Sequence, residues 1–256
     1  MPIWRFSTCR RPVSVERLIA RDNWIVAAAL GLASLLAWAW LTRPMDLALM
    51  APPDTAAYAT AAFVMWALMM VAMMLPSASP MILLYARFAR ARFGKEAGAG
   101  IAAFALAYVL VWSGFAALAA LLQAALVAGG HMGAMELRLG DARIGGGLLI
   151  AAGLYQLTPL KNACLENCRS PLTFLSRGIR PGIRGALRLG IEHGLYCLGC
   201  CWALMLLLFV GGVMDLAWIA ALALLVAAEK LLPWRQARLV LAATLVAAGV
   251  VIAAVR

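Results

Sequence analysis

The chain has 256 residues, 65% of them hydrophobic and only 13% charged, with a formal net charge of +11 at neutral pH. A soluble domain is nearer half apolar and a quarter charged, so this composition excludes a water-soluble globular enzyme, and its hydrophobicity excludes an intrinsically disordered chain. What fits is an all-α, polytopic transmembrane helical bundle, because in lipid every backbone polar group must be satisfied within the segment.

A basic arm comes first (residues 1–23, with Arg5, Arg10, Arg11, Arg17 and Arg21), and the rest, 24–256, reads as one transmembrane domain. Seven apolar runs follow the arm, at roughly 24–42, 57–85, 99–128, 144–160, 189–213, 215–232 and 238–255. Each approaches the ~20 residues that cross a hydrocarbon core. The first run is longer and begins later than a signal-peptide core and reads as a retained anchor. The fourth is short and carries Gly145, Gly146 and Gly147 in a row. The fifth and sixth are separated by a tight turn at Gly211-Gly212 and Asp215.

Basic residues alternate between the connections. The arm holds five. The connections after the second, fourth and sixth runs hold Arg87, Arg90, Arg92 and Lys95, then Lys161, Arg169, Arg177, Arg180, Arg184 and Arg188, then Lys230, Arg235 and Arg238. The other connections and the C-terminus hold only Arg43, Arg138, Arg143 and Arg256. The positive-inside rule then puts the N-terminus in the cytoplasm and the C-terminus outside in a multi-pass membrane protein. No segment builds a soluble basic domain, so nucleic acid is not the expected partner; the lipid bilayer is.

Polar and soft-ligand residues within such runs mark candidate sites. On the second run, Met65, Met69 and Met73 repeat every four residues, as do Met70 and Met74. Thioethers bind Cu(I) and discriminate against hard ions, although methionine also fills gaps between helices. Pro76 and Ser77 end this stretch and should free a backbone carbonyl. After the fourth run, Cys164 and Cys168 stand four apart between Pro159 and Pro171, on one face of any helix there.

On the fifth run, His193, Cys197 and Cys200 share a stripe ~60° wide at ~100° per residue, with Cys201 at its edge. One imidazole with two or three thiols resembles a zinc or soft-metal ligand set. Glu229 and Lys230 close the sixth run, where snorkelling is the ordinary reading.

Topology predicts that these clusters share the cytoplasmic half of the membrane. Met73, Met74 and Pro76 sit toward the inner end of span two, and Cys164 and Cys168 follow the inner end of span four. Cys197 lies ~12 Å into span five at 1.5 Å per residue. Cysteines near the cytoplasm stay reduced, which leaves thiols for a metal ion, and the cation would supply the charge that buried thiolates need.

These stretches, MMLPSASPM (73–81), GLYQLTPLKNACLENCRSP (153–171) and the segment from His193 to Lys230, resemble a bacterial family of predicted metal-binding integral membrane proteins, a domain family of unknown function. The resemblance covers most of the chain from about residue 60 onward. It implies a location in the bacterial inner (plasma) membrane and metal binding, and brings no substrate or reaction.

The residues therefore favour an integral membrane protein that binds, delivers or transports a soft metal. Cu(I) is favoured, and Zn(II) suits Cys and His equally but has no use for the Met run. The proposed ligands are Cys164, Cys168, His193, Cys197, Cys200 and Cys201, with Met69, Met73 and Met74 as a thioether relay and a metal donor or acceptor protein as partner. The alternative is a membrane thiol–disulfide or electron carrier using the CxxC at 197–200 with Cys164 and Cys168. A purely structural subunit packed through small residues is a third reading. No hydrolytic constellation and no phosphate-cradling loop is present, so the chain does not read as an enzyme.

Overall fold

A computed structural model describes residues 13–43, 51–133, 137–178, 182–231 and 235–254. Cys9, the first half of the basic arm and Arg256 lie outside them. The described residues are helical throughout, apart from turns and one isolated bridge between Met132 and Leu139.

The helices in chain order are α1 (Val13–Leu41), α2 (Ala56–Phe93), α3 (Ala97–Ala128), α4 (Ala142–Tyr155), α5 (Pro159–Arg169), α6 (Pro171–Gly178), α7 (Gly182–Leu206), α8 (Leu208–Gly211), α9 (Leu216–Leu231) and α10 (Arg235–Ala254), with a 3₁₀ turn at Gly94–Glu96 between α2 and α3. All seven apolar runs fall on helices, but the count of spans is only partly matched. Among the described residues, five helical stretches are long and apolar enough to cross a membrane: Asn23–Leu41, Ala56–Phe93, Ala97–Ala128, Gly182–Gly211 and Gln236–Ala254. α4 has 14 residues and α9 has 16, which at 1.5 Å per residue is ~21–24 Å against a ~30 Å hydrocarbon core.

Local chemistry explains the boundaries. The fourth run stops at Tyr155 rather than 160 because a new helix starts at Pro159. Thr158 caps that helix by accepting from Lys161 N at 3.3 Å, and Pro159 takes the first position, where its missing N–H costs nothing. Asp141 and Asp215 cap α4 and α9 in the same way, accepting at 2.7 Å from Arg143 N and at 2.9 Å from Trp218 N. α1 begins at Val13, so helix extends about three turns ahead of the first apolar run.

α2 passes straight through Pro76 and Pro80. Proline cannot donate to the carbonyl four residues back, and each freed group finds another donor. The Ala72 carbonyl accepts from Ser34 Oγ at 3.2 Å and Trp38 Nε1 at 3.1 Å, tying α1 to α2. The Pro76 carbonyl accepts from Ser79 Oγ at 2.7 Å.

Small residues let the other helices approach closely. A Cβ on Gly190 would lie 2.4 Å from the Phe104 carbonyl oxygen, which brings α7 onto α3. A Cβ on Gly146 would lie 2.5 Å from the Gly249 carbonyl oxygen, which brings α4 onto α10. The glycine-rich character of the fourth run thus serves a helix–helix contact. α2 is the centre of the bundle: Met65, Trp66, Met69, Met70, Met73 and Met74 are all fully buried. The outer surface is apolar, with Leu35, Leu110, Leu118, Leu121, Leu154, Leu224 and Val240 each more than half exposed.

Candidate metal site

The site forms where α2, α3, α5, α7 and α9 meet. Cys197, Cys200 and Cys201 are each 1% exposed on α7. The Cys200 and Cys201 thiols both donate to the Cys197 carbonyl at 3.0 Å, the usual parking place for a helical thiol. The Cys201 sulfur also meets Met74 Sδ of α2 at 3.9 Å.

The Cys197 sulfur is the most heavily engaged. Lys230 Nζ from α9 donates to it at 3.0 Å, and Tyr108 Oη from α3 lies 3.1 Å away. Lys230 Nζ also donates to Ser77 Oγ at 2.9 Å, and Tyr108 Oη donates to the Met74 carbonyl at 3.1 Å. One sulfur of α7 therefore gathers contacts from two other helices, α3 and α9, and both partners are in turn tied to α2.

The α5 thiols lie against this turn of α7. A Cβ on Gly199 would stand 2.7 Å from Cys164 Sγ, so the glycine is what lets the cysteine in. Hydrogen bonding with the Cys197 and Cys200 thiols, and then burial, holds the Cys168 thiol well above the usual cysteine range. Burial, reinforced by any negative charge on Cys200, pushes the Cys164 thiol up as well.

α5 is held in place by charge. Lys161, fully buried, donates to both Glu229 carboxylate oxygens, at 2.8 and 3.1 Å. Arg169 Nε donates to the Glu229 carbonyl at 2.8 Å, and Arg238 of α10 donates to Asn162 Oδ1. Tyr155 Oη donates to the Gly199 carbonyl and ties the end of α4 to the same turn.

His193 lies one turn before Cys197. It is 3% exposed, and neither ring nitrogen has a hydrogen-bond partner among the described residues. Its ring lies among Phe104, Tyr108 and Phe174, with centroids 6.0, 5.5 and 5.7 Å away. Leaving a buried donor or acceptor unpaired costs ~1–3 kcal/mol per group. The imidazole lines a cavity of about 160 Å³ together with Cys168, Cys197, Lys230, Ser77 and Arg169. The cavity admits a small ion or a few waters, and its polar walls are two thiols, an imidazole, a hydroxyl and two cations beside apolar side chains.

Six of the proposed ligands thus gather in one region: Cys164, Cys168, Cys197, Cys200 and Cys201 with Met74. His193 joins them through the shared cavity. Met69 and Met73 are buried on the same helix as Met74, and Met69 lies ~7 Å before Met74 along the axis. Among the described residues, no three His, Cys, Asp or Glu side chains are arranged as a ready-made ligand set. The thiol hydrogen bonds give the reason: Cys200 and Cys201 point at a carbonyl, and Lys230 occupies Cys197.

One participant, Tyr108, carried no signal that the sequence reading used, and another, Lys230, is singled out there only with snorkelling as its ordinary reading. Tyr108 is one more aromatic on an apolar helix. Lys230 reads as an interfacial residue free to snorkel, yet it is 8% exposed and turned inward.

No curated protein and no solved structure matches this chain. One family does: the model of the PpoB2 family, described as a copper chaperone, matches residues 63–253, a stretch that contains every ligand proposed above. The expected metal-related family is thereby met in its coarser sense, with copper as the named metal, and the chain belongs to the PpoB2 copper-chaperone family.

Proposed function

We propose that this chain is a polytopic inner-membrane protein that binds Cu(I) in the cytoplasmic half of the bilayer and exchanges it with a donor or acceptor protein. The reading takes all seven apolar helices as spans, with α4 and α9 as short ones and the N-terminus cytoplasmic. The exposed leucines and valines support it, because a soluble surface would not present so many. So does the one-sided distribution of Lys and Arg.

Within that frame Cys168 and Cys197 are the primary ligands. Cys164, Cys200, Cys201, His193 and Met74 are within the same region to receive or release the ion. A monovalent d¹⁰ ion is satisfied by two soft donors, so copper can pass stepwise between neighbouring sulfurs without a complete cage at any one point. The Met74–Cys201 contact favours Cu(I) over Zn(II), which has little use for a thioether.

The observation that carries the proposal is His193: a buried imidazole with both nitrogens unpartnered, facing a cavity lined by thiols from two different helices. The test is elemental analysis of detergent-purified protein after Cu(I) loading under reducing conditions. Stoichiometric copper in the wild type, and its loss when Cys164, Cys168, Cys197 and Cys200 are all changed to Ser, is the expected result. Equal metal content in both proteins would remove the proposal. Thiol trapping in cells separates this role from dithiol–disulfide cycling, because a metal-binding Cys197/Cys200 pair stays reduced.

A further inference from the structure

The cavity is unusual in its charge. Among the described residues its charged lining groups are Lys230 from α9 and Arg169 from the end of α5, and no carboxylate lines it. Glu229 turns its carboxylate to Lys161 and accepts from Arg169 at its carbonyl. Glu192, on the cavity helix itself, is half-buried and paired with Arg188 at 2.8 Å. Lys230 donates to Ser77 Oγ and to the Cys197 sulfur, so, thiols aside, its ammonium meets no anionic side chain among the described residues.

Such an arrangement is poor for binding cations in general and good for one class of them. When a monovalent ion M⁺ binds Cys168 and Cys197, two metal–sulfur bonds form and two thiol protons leave for solvent. No electron moves, and the metal stays M⁺. The product is a bis-thiolate complex with charge −1. Lys230 Nζ, already 3.0 Å from the Cys197 sulfur, neutralises it. When a divalent ion binds the same pair, the complex is neutral and the buried ammonium is left uncompensated, the costly condition for a charge in a low-dielectric site.

We propose that Lys230 is a specificity-determining residue that makes this site selective for monovalent over divalent soft cations by supplying the counter-charge of a bis-thiolate complex. The inference rests on the thiol site proposed above. It adds that selectivity comes from charge as well as from sulfur softness, since thiolates alone also hold Zn(II) and Cd(II). A copper chaperone in a cytoplasm that also contains Zn(II) gains from such discrimination.

The experiment uses full-length protein in detergent under reducing conditions. Ag(I) and Cd(II) serve as probes because both are thiophilic and differ in charge. Affinities are read by chelator competition for the wild type, Lys230→Met and Lys230→Arg. The wild type should retain Ag(I) and reject Cd(II). Lys230→Met should narrow the Ag(I)-over-Cd(II) ratio by about tenfold or more, and Lys230→Arg should restore it. Equal affinity of the wild type for both ions would overturn the inference without any variant being needed, which covers the case in which Lys230→Met does not fold. So would a Lys230→Met change that shifts both ions by the same factor. A wild type that binds neither ion refutes the thiol site itself, a result distinct from loss of selectivity.

Discussion

Adding one methyl group at Gly199 tests whether α5 rests on α7 as described. A Cβ there would sit 2.7 Å from Cys164 Sγ and 3.5 Å from Cys164 Cβ. Non-bonded heavy atoms prefer ~3.5–4.0 Å, so the sulfur must retreat by about 1 Å. It can rotate about χ1, but a helix leaves few alternative rotamers; otherwise α5 must shift. Overpacking of this kind costs ~1–3 kcal/mol. Against it stands the ordinary gain of ~0.5–1 kcal/mol for replacing Gly by Ala within a helix. In a Cys164→Ala background the clashing atom is gone and only that gain remains. The double-mutant cycle therefore predicts a coupling of ~1–3 kcal/mol, read from unfolding of metal-free protein in detergent. A coupling below ~0.5 kcal/mol, the range in which independent sites add, would mean that Cys164 does not touch this turn, and the convergence of the two cysteine pairs would fail with it.

Lys161→Met should destabilise the protein by ~3–5 kcal/mol, because it strands the Glu229 carboxylate, whose side chain is only 10% exposed; adding Glu229→Leu should recover most of the loss, and both are read by thermal unfolding in detergent. Gly146→Ala should cost ~1–3 kcal/mol, since the new Cβ meets backbone of α10 that cannot rotate away, whereas Gly147→Ala, with nothing within 4 Å, should be neutral or mildly stabilising. Copper retention should weaken as pH falls. The Cys164 and Cys168 thiols sit above the usual cysteine range, so each is protonated at neutral pH and must lose its proton to bind. The apparent affinity should then rise up to about tenfold per pH unit for each proton displaced, and a competition titration across pH 6 to 8, about this range being where the thiols stay protonated, that gave a flat profile would contradict the ligand assignment.

The helices were legible because long apolar runs bounded by turn residues favour helix, and the role of Pro76 was legible because proline must free the carbonyl four residues back. The grouping of cysteines on α5 and α7 followed from charge alternation and helical rise. The detailed register did not. The fourth run ends early because Thr158 and Pro159 restart the helix, a capping effect hidden inside a continuous apolar pattern. The inward turn of Lys230 was hidden as well. Its cause is tertiary: Ser77 from the proline-bearing stretch of α2 and Cys197 from α7 offer it acceptors that the sequence of α9 does not mention. Lys161 escaped notice as a site element because it reads as a topology signal, yet its partnership with Glu229 helps hold the helix that carries two of the thiols.

Copper K-edge X-ray absorption on the Cu(I)-loaded, full-length protein tests the central claim most directly. The account predicts a monovalent edge and a first shell dominated by sulfur, which weakens in Cys197→Ser and in Cys168→Ser alike because each supplies one of the two primary ligands. A first shell of oxygen or nitrogen, or a sulfur shell unchanged in both variants, would contradict it.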